Sequence, residues 1–163
     1  MKIGVLSDTH GEVQGIQQAL QILERLGVSL LIHCGDVGPE IVPLLKGLPT
    51  HFVYGNMDYP ERLREAIVEP EHTYHGRLGT LEIEGRRVAF LHGHDVKLLR
   101  RTIHSGQWDL VCYGHTHIFS SHVEGQTLVL NPGALSRTNH PSLAVVEMPL
   151  LEVIEIPLWQ QMA

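Results

Sequence analysis

The chain has 163 residues, 43% of them hydrophobic and 18% charged, with a formal net charge of −6. Such a length and composition suit one domain spanning residues 1–163, while the acidic balance without a basic run argues against an extended grip on nucleic acid, and no apolar run reaches the roughly 18 residues of a membrane span. Cys34 and Cys112 lack CxxC spacing and read as small core residues, and the opening MKIGVLSDTHG lacks a signal-peptide h-region, so a reduced, cytoplasmic setting is expected.

In chain order, Lys2 to Ser7 reads as a strand, and Ile16, Ala19, Leu20, Leu23 and Leu26 then recur at helical spacing up to a stop at Gly27. Leu30 to Cys34 is a second strand, Ile41 to Lys46 a short helix with Pro39 near its start, His51 to Tyr54 a third strand, and Pro60 to Ala66 another short helix. The pattern changes at Leu81 to Glu84 and Arg87 to Phe90, which flank Gly85-Arg86 as an alternating hairpin. A helix over Val96 to His104 and a buried strand over Leu110 to Tyr113 follow. Strand-like pieces then come near His122 to Val123, Thr127 to Leu130, Leu143 to Glu147 and Val153 to Ile156. The class is α/β, and two mixed sheets packed together with helices outside is the economical architecture.

Polar residues with metal-binding chemistry recur just after these strands. They are Ser7-Asp8-Thr9-His10, Gly35-Asp36, Gly55-Asn56, His92-Gly93-His94 and Gly114-His115-Thr116-His117. Strand ends on the carboxyl side of an α/β sheet border its binding crevice, so these turns can converge although scattered along the chain. In extended chain, Asp8 and His10 would project on one side, as would His115 and His117. Asp36 offers two carboxylate oxygens, Asn56 an amide oxygen and His92 an imidazole nitrogen. An oxygen and nitrogen shell without sulfur suits manganese, iron, nickel, cobalt or zinc better than a thiolate-loving ion, which leaves the metal open.

Taken in order, these motifs resemble the calcineurin-like metallophosphoesterase superfamily, and within it the small single-domain bacterial and archaeal phosphodiesterase branch. The resemblance runs from Asp8 to about Gly133 as D-x-H, G-D, G-N, H-G-H, G-H-x-H and Asn131-Pro132-Gly133. It implies a four-layer α/β/β/α sandwich and two divalent ions per chain. Asp8, His10, Asp36 and His117 would hold the first ion, and Asp36, Asn56, His92 and His115 the second. The implied reaction is hydrolysis of small phosphoesters, phosphodiesters first, by a metal-bridging hydroxide.

Two departures bear on the chemistry. Met57 stands where many larger members carry a histidine that protonates the leaving group, and a thioether has no proton to give. Asp58 could substitute as the acid, but Asp58-Tyr59-Pro60-Glu61 also fits a helix N-cap, the preferred reading. Ala134 stands where the family usually has serine, so Asn131-Pro132-Gly133 is read as a turn without catalytic role. His94 is assigned to support of the ligands or contact with the phosphate, whereas His33, His51, His72 and His75 show no partner pattern. Competing functions are a phosphomonoesterase of the same fold and a non-catalytic scaffold like the family's trafficking subunit; an intact ligand set favours an enzyme. The expected partner is a small phosphoester, with no membrane, and a homo-oligomer stays open.

Overall fold

The computed structural model describes residues 1–158. Its strands are β1 (Lys2–Leu6), β2 (Val28–His33), β3 (Thr50–Phe52), β4 (Thr73–Tyr74), β5 (Leu78–Ile83), β6 (Arg86–Leu91), β7 (Leu110–Cys112), β8 (Phe119–Glu124), β9 (Thr127–Pro132), β10 (Ser142–Glu147) and β11 (Glu152–Pro157). Three α-helices, α1 (Val13–Arg25), α2 (Pro60–Ala66) and α3 (Val96–His104), and a 3-10 helix at Pro39–Leu45 join them.

The strands form a six-stranded sheet ordered β11-β10-β1-β2-β3-β4 and a five-stranded sheet ordered β5-β6-β7-β9-β8. Both are mixed. β1 to β4 run parallel, with β10 antiparallel between β1 and the edge strand β11, and β6, β7 and β9 run parallel between antiparallel β5 and β8.

Three apolar clusters define the layers. α1 buries Ile16, Ala19 and Leu23, one helical face, and together with Ile41, Leu45 and Leu63 covers Leu6 and Leu31 of the first sheet. Between the sheets lie Ile3, Val5, Ile32, Val88, Phe90, Leu110, Leu130, Ala144 and Val146. Ile103 of α3 closes over Ala89, Leu91, Val111 and Val129 on the far side. The result is the α/β/β/α order expected from the sequence. Cys34 and Cys112 are free thiols buried in the middle layer, and burial pushes both thiols up, leaving them unreactive.

The expected short helix after Gly38 is present as the 3-10 helix, with Pro39 at its start and Pro43 inside it. Three local expectations need correction. The hairpin turn is Glu84-Gly85, both at positive φ (49° and 80°), so Arg86 is already in the strand, paired with Ile83. Tyr59, not Asp58, occupies the N-cap of α2, and no side chain caps that helix. Asn131 and Pro132 close β9 instead of forming a turn. β4 was not foreseen, since two residues carry no periodicity.

Candidate metal centre

The loops leaving β1, β2, β3, β6 and β7 meet along one edge of the two sheets, where they carry Asp8 and His10, Asp36, Asn56, His92, and His115 and His117. Backbone bonds lace them together: Asp8 N–H donates to Gly35 O (3.0 Å), His10 N–H to Asp36 O (2.9 Å) and Gly114 N–H to His92 O (2.9 Å). Two glycines permit the closeness. A Cβ on Gly55 would sit 2.1 Å from Asp36 Oδ1, and one on Gly114 would sit 1.9 Å from Ser7 Oγ.

The backbone here is unusual. Among the described residues eight non-glycine positions have positive φ, and five of them are Asp8 (58°), His10 (47°), Asp36 (52°), His115 (70°) and His117 (64°). The expectation that Asp8/His10 and His115/His117 pair by extended alternation is therefore wrong. Left-handed turns bring Asp8, His10 and His117 together while the His115 side chain stays exposed, at a cost of about 1–2 kcal/mol per residue that the surrounding fold must offset.

Asp8 is fully buried. Its Oδ2 accepts from Ser7 Oγ (2.6 Å) and His115 N–H (3.1 Å). Its Oδ1 has no hydrogen-bond donor and lies 3.2 Å from His117 Nε2, 3.6 Å from His10 Nε2 and 3.9 Å from His92 Nε2. Asp36 divides its oxygens likewise. Oδ1 accepts from Met57 N–H (2.9 Å), and Oδ2 lies 3.3 Å from His92 Nε2 and 3.7 Å from His10 Nε2.

Tautomers follow from the outer bonds. His92 Nδ1 is 2.8 Å from Cys34 O, and His117 Nδ1 is 3.3 Å from Arg137 O. A carbonyl only accepts, so each Nδ1 carries the proton and each Nε2 presents its lone pair to the carboxylates. Asp8, His10 and His117 thus converge as one group within 4.8 Å, and Asp8, Asp36 and His92 as another. Asp8 Oδ1 is common to both, whereas the sequence resemblance makes Asp36 the shared residue. His115, an exposed side chain, stacks edge-on to His92 at 5.1 Å, and Asn56 is exposed beside the Met57 N–H that orients Asp36. His94 stands 5.5 Å from the His92 ring and 6.4 Å from that of His115.

The charges in this pocket are out of balance. Burial, the largest influence, raises Asp36, yet His92, the Met57 N–H and His10 together hold it down at about 2. Burial also pushes His92 down, but Asp36 and Asp8 overcome it and lift its pKa above the usual histidine range. His10, further from Asp36 at 3.7 Å, stays below that range because of burial, with Arg137 adding to the depression. Two buried carboxylates therefore call for positive charge, and Asp8 Oδ1, His10 Nε2 and His92 Nε2 are buried without hydrogen-bond partners. An unsatisfied buried polar group costs about 1–3 kcal/mol. Divalent cations would satisfy all three atoms at once, so the residues present fit such ions.

Supports that the sequence did not reveal surround this centre. His33 is fully buried; its Nδ1 accepts from Gly35 N–H (3.1 Å), so Nε2 donates to Thr9 Oγ1 (2.9 Å), which donates to Val37 O (2.5 Å). This chain ties the Asp8 loop to the Asp36 loop, and burial keeps His33 neutral, with a pKa of about 3. Asp58 accepts from Val37 N–H, Gly38 N–H and Gly55 N–H at 2.9 to 3.2 Å, tying the Asp36 loop to the Asn56 loop. Asn131 donates from Nδ2 to Gly114 O and Thr116 Oγ1, both at 3.0 Å, holding the turn that bears His115 and His117. A polar residue interrupting an apolar run, as His33 does, was the one available signal.

Fold and site together define a class of protein, a two-sheet α/β sandwich carrying a candidate nitrogen and oxygen metal centre at its carboxyl edge. Residues 1–150 match the family described as the calcineurin-like phosphoesterase superfamily domain, and the chain belongs to that family. It is 34% identical over 138 residues to a phosphodiesterase of Methanocaldococcus jannaschii, covering 82% of this chain and 83% of that protein. A probable metallophosphoesterase of Bacillus subtilis, YsnB, is 28% identical over 143 residues, covering 83% and 75%. A solved archaeal phosphodiesterase superposes with a TM-score of 0.89 at 31% identity, covering 96% of this chain and 99% of that one. Zinc-bound Vps29 of Entamoeba histolytica shares the fold, with a TM-score of 0.73 at 21% identity over 97% and 93% of the chains. No helix among the described residues is long and apolar enough to cross a membrane.

Proposed function

We propose that this chain, as one domain over residues 1–163, is a cytoplasmic hydrolase of small phosphoesters, phosphodiesters first, working with two divalent cations, manganese foremost. The observation that carries the reading is the set of buried, unpartnered atoms Asp8 Oδ1, His10 Nε2 and His92 Nε2 facing one another. Asp8, His10 and His117 would hold one ion with Asp36, and Asp36, Asn56, His92 and His115 the other. Such a pair of ions supplies Lewis acidity to the phosphoryl oxygens and makes water acidic enough to act as nucleophile near neutral pH.

The protein's own part is positioning. Cys34 O and Arg137 O fix the ring faces of His92 and His117, and Met57 N–H fixes one oxygen of Asp36 so that the other faces the centre. His94, kept neutral by burial and by His92 and His115, would contact a phosphoryl oxygen from its position 5.5 Å from the His92 ring. No proton donor for the leaving group is assigned. Met57 is a thioether, and both oxygens of Asp58 are occupied by backbone N–H groups.

The test is a series of phosphodiesters and monoesters graded in leaving-group pKa, assayed on metal-restored protein. Without a general acid, which typically contributes about 10²–10⁴-fold, rates should fall steeply as the leaving group becomes more basic. A shallow dependence would mean that an unassigned acid is at work, and no turnover on any ester with both ions bound would favour the non-catalytic scaffold.

A further inference from the structure

Beside Asp36 and His10 opens a cleft of about 240 Å³ whose composition metal binding does not require. Its lining includes Pro39, Met57, Tyr59 and Leu63, and also Arg62 and Arg137. Tyr59 and Met57 are 70% and 55% exposed, a large outlay of apolar surface next to a polar centre. A phosphoryl group held at the ions needs donors, not an apolar wall. Pockets of this mixed kind suit an organic group oriented by a few polar contacts.

The two guanidinium groups are well sited and free. Arg62 lies over the Tyr59 ring, 5.2 Å from its centroid. Arg137 is rooted at the centre by its own carbonyl, which accepts from His117, and by the preceding Ser136 N–H, which donates to Asp8 O (3.1 Å). The cationic side chains that form ion pairs among the described residues are Lys46, Arg77 and Arg87, so neither Arg62 nor Arg137 is committed to a carboxylate. Three acidic residues also line the cleft, but none forms an ion pair with either arginine: Asp36 faces the centre, and Asp58 is engaged by backbone N–H groups.

Resting on the phosphoesterase reading above, we propose that this cleft is the subsite for the substrate's ester group, and that Arg62 and Arg137 make it select planar ester groups bearing a second negative charge. A nucleotide-like or carboxyaryl ester meets that description; a simple alkyl ester does not.

Calorimetric titration of the manganese-loaded protein with methylphosphonate, phenylphosphonate and 4-carboxyphenylphosphonate tests this without turnover, since none has an ester bond. Phenylphosphonate should bind more tightly than methylphosphonate, and the carboxylate should add about threefold to tenfold at low salt, a gain that shrinks as salt rises. Arg137→Asn, chosen because asparagine tolerates left-handed backbone, and Arg62→Gln, on the exposed side of α2, should each bring the carboxylate ratio toward one. Equal binding of the two aryl phosphonates by the wild type would overturn the proposal, as would a ratio that survives both substitutions. Equal weakening of all three ligands by Arg137→Asn would overturn it too, by placing Arg137 on the phosphonate itself. If no phosphonate binds, the phosphoesterase centre fails and the subsite with it; if methylphosphonate binds and ring and carboxylate add nothing, the subsite alone fails.

Discussion

The layer between the two sheets and the edge that carries the candidate centre are built by opposite rules. Ile3, Val5, Ile32, Val88, Phe90 and Leu110 are wholly buried, apolar and set in regular strands. A few residues along the same strands, Asp8, His10, Asp36, His115 and His117 adopt left-handed backbone, and buried polar atoms lack partners. The first region gains from burial at roughly 25 cal/mol per Å² of apolar surface, while the second is held in place against its own preferences. Stability is thus lodged in the strands and the candidate site in the loops that follow them, and substitutions should separate the two.

The largest separation is expected from Asp36→Ala. Losing the carboxylate that faces His10 and His92 should lower kcat at least roughly 10³-fold, whereas the urea midpoint should move less than for a core substitution. Conversely, Phe90→Ala in the middle layer should cost about 3–5 kcal/mol in urea unfolding yet leave metal retention by the folded protein intact. Should the two variants behave alike in both assays, the division of labour would be wrong.

Acid should reach the metal-free fold through its histidines before its carboxylates. Burial lowers His33 to about 3 and His51 to about 4, the latter beside His75, with which it shares a 2.8 Å hydrogen bond. The unfolded chain then protonates first, so this contribution is complete above about pH 6.5 and is lost as pH falls toward the folded values. For the fully buried His33 the slope is up to about 1.4 kcal/mol per pH unit, and for the partly solvated His51 it is less. Asp36, depressed to about 2, acts later: its contribution is present above about pH 3.8 and lost as pH falls through 2. Urea midpoints that stay flat from pH 7 to pH 5 would contradict this order.

The smallest expected effect sharpens the role of Asp58. Asp58→Asn should loosen the bond between the Asp36 and Asn56 loops and weaken metal retention by about tenfold, in keeping with one buried donor left unsatisfied. The slope of rate against leaving-group pKa should not change. A selective loss on poor leaving groups would instead make Asp58 the acid.

How far the sequence discloses this molecule depends on the kind of information involved. The alternation of apolar strands with helical faces gives the two mixed sheets and outer helices, and the recurrence of ligands after strand ends places the centre at one edge. Periodicity says nothing about the sign of φ, so Asp8, His10, His115 and His117 read as extended from sequence, and the left-handed backbone at Asp36 has no sequence signal at all. Asp58 looked like a cap because capping is a local pattern, while its bonds to Val37 and Gly38 cross 21 and 20 positions of sequence. His33 with Thr9, and Asn131 with Gly114 and Thr116, escaped for the same reason. Arg137 could not be singled out, since nothing in its neighbours shows that it borders the cleft.

Under the proposed function the centre would hold two ions and need both. The most direct measurement titrates manganese into stripped protein while bound metal and hydrolysis of bis(p-nitrophenyl) phosphate are followed together. Activity should be at background without metal and should saturate only as occupancy approaches about two ions per chain. Turnover by metal-free protein, or full activity at a single bound ion, would contradict it.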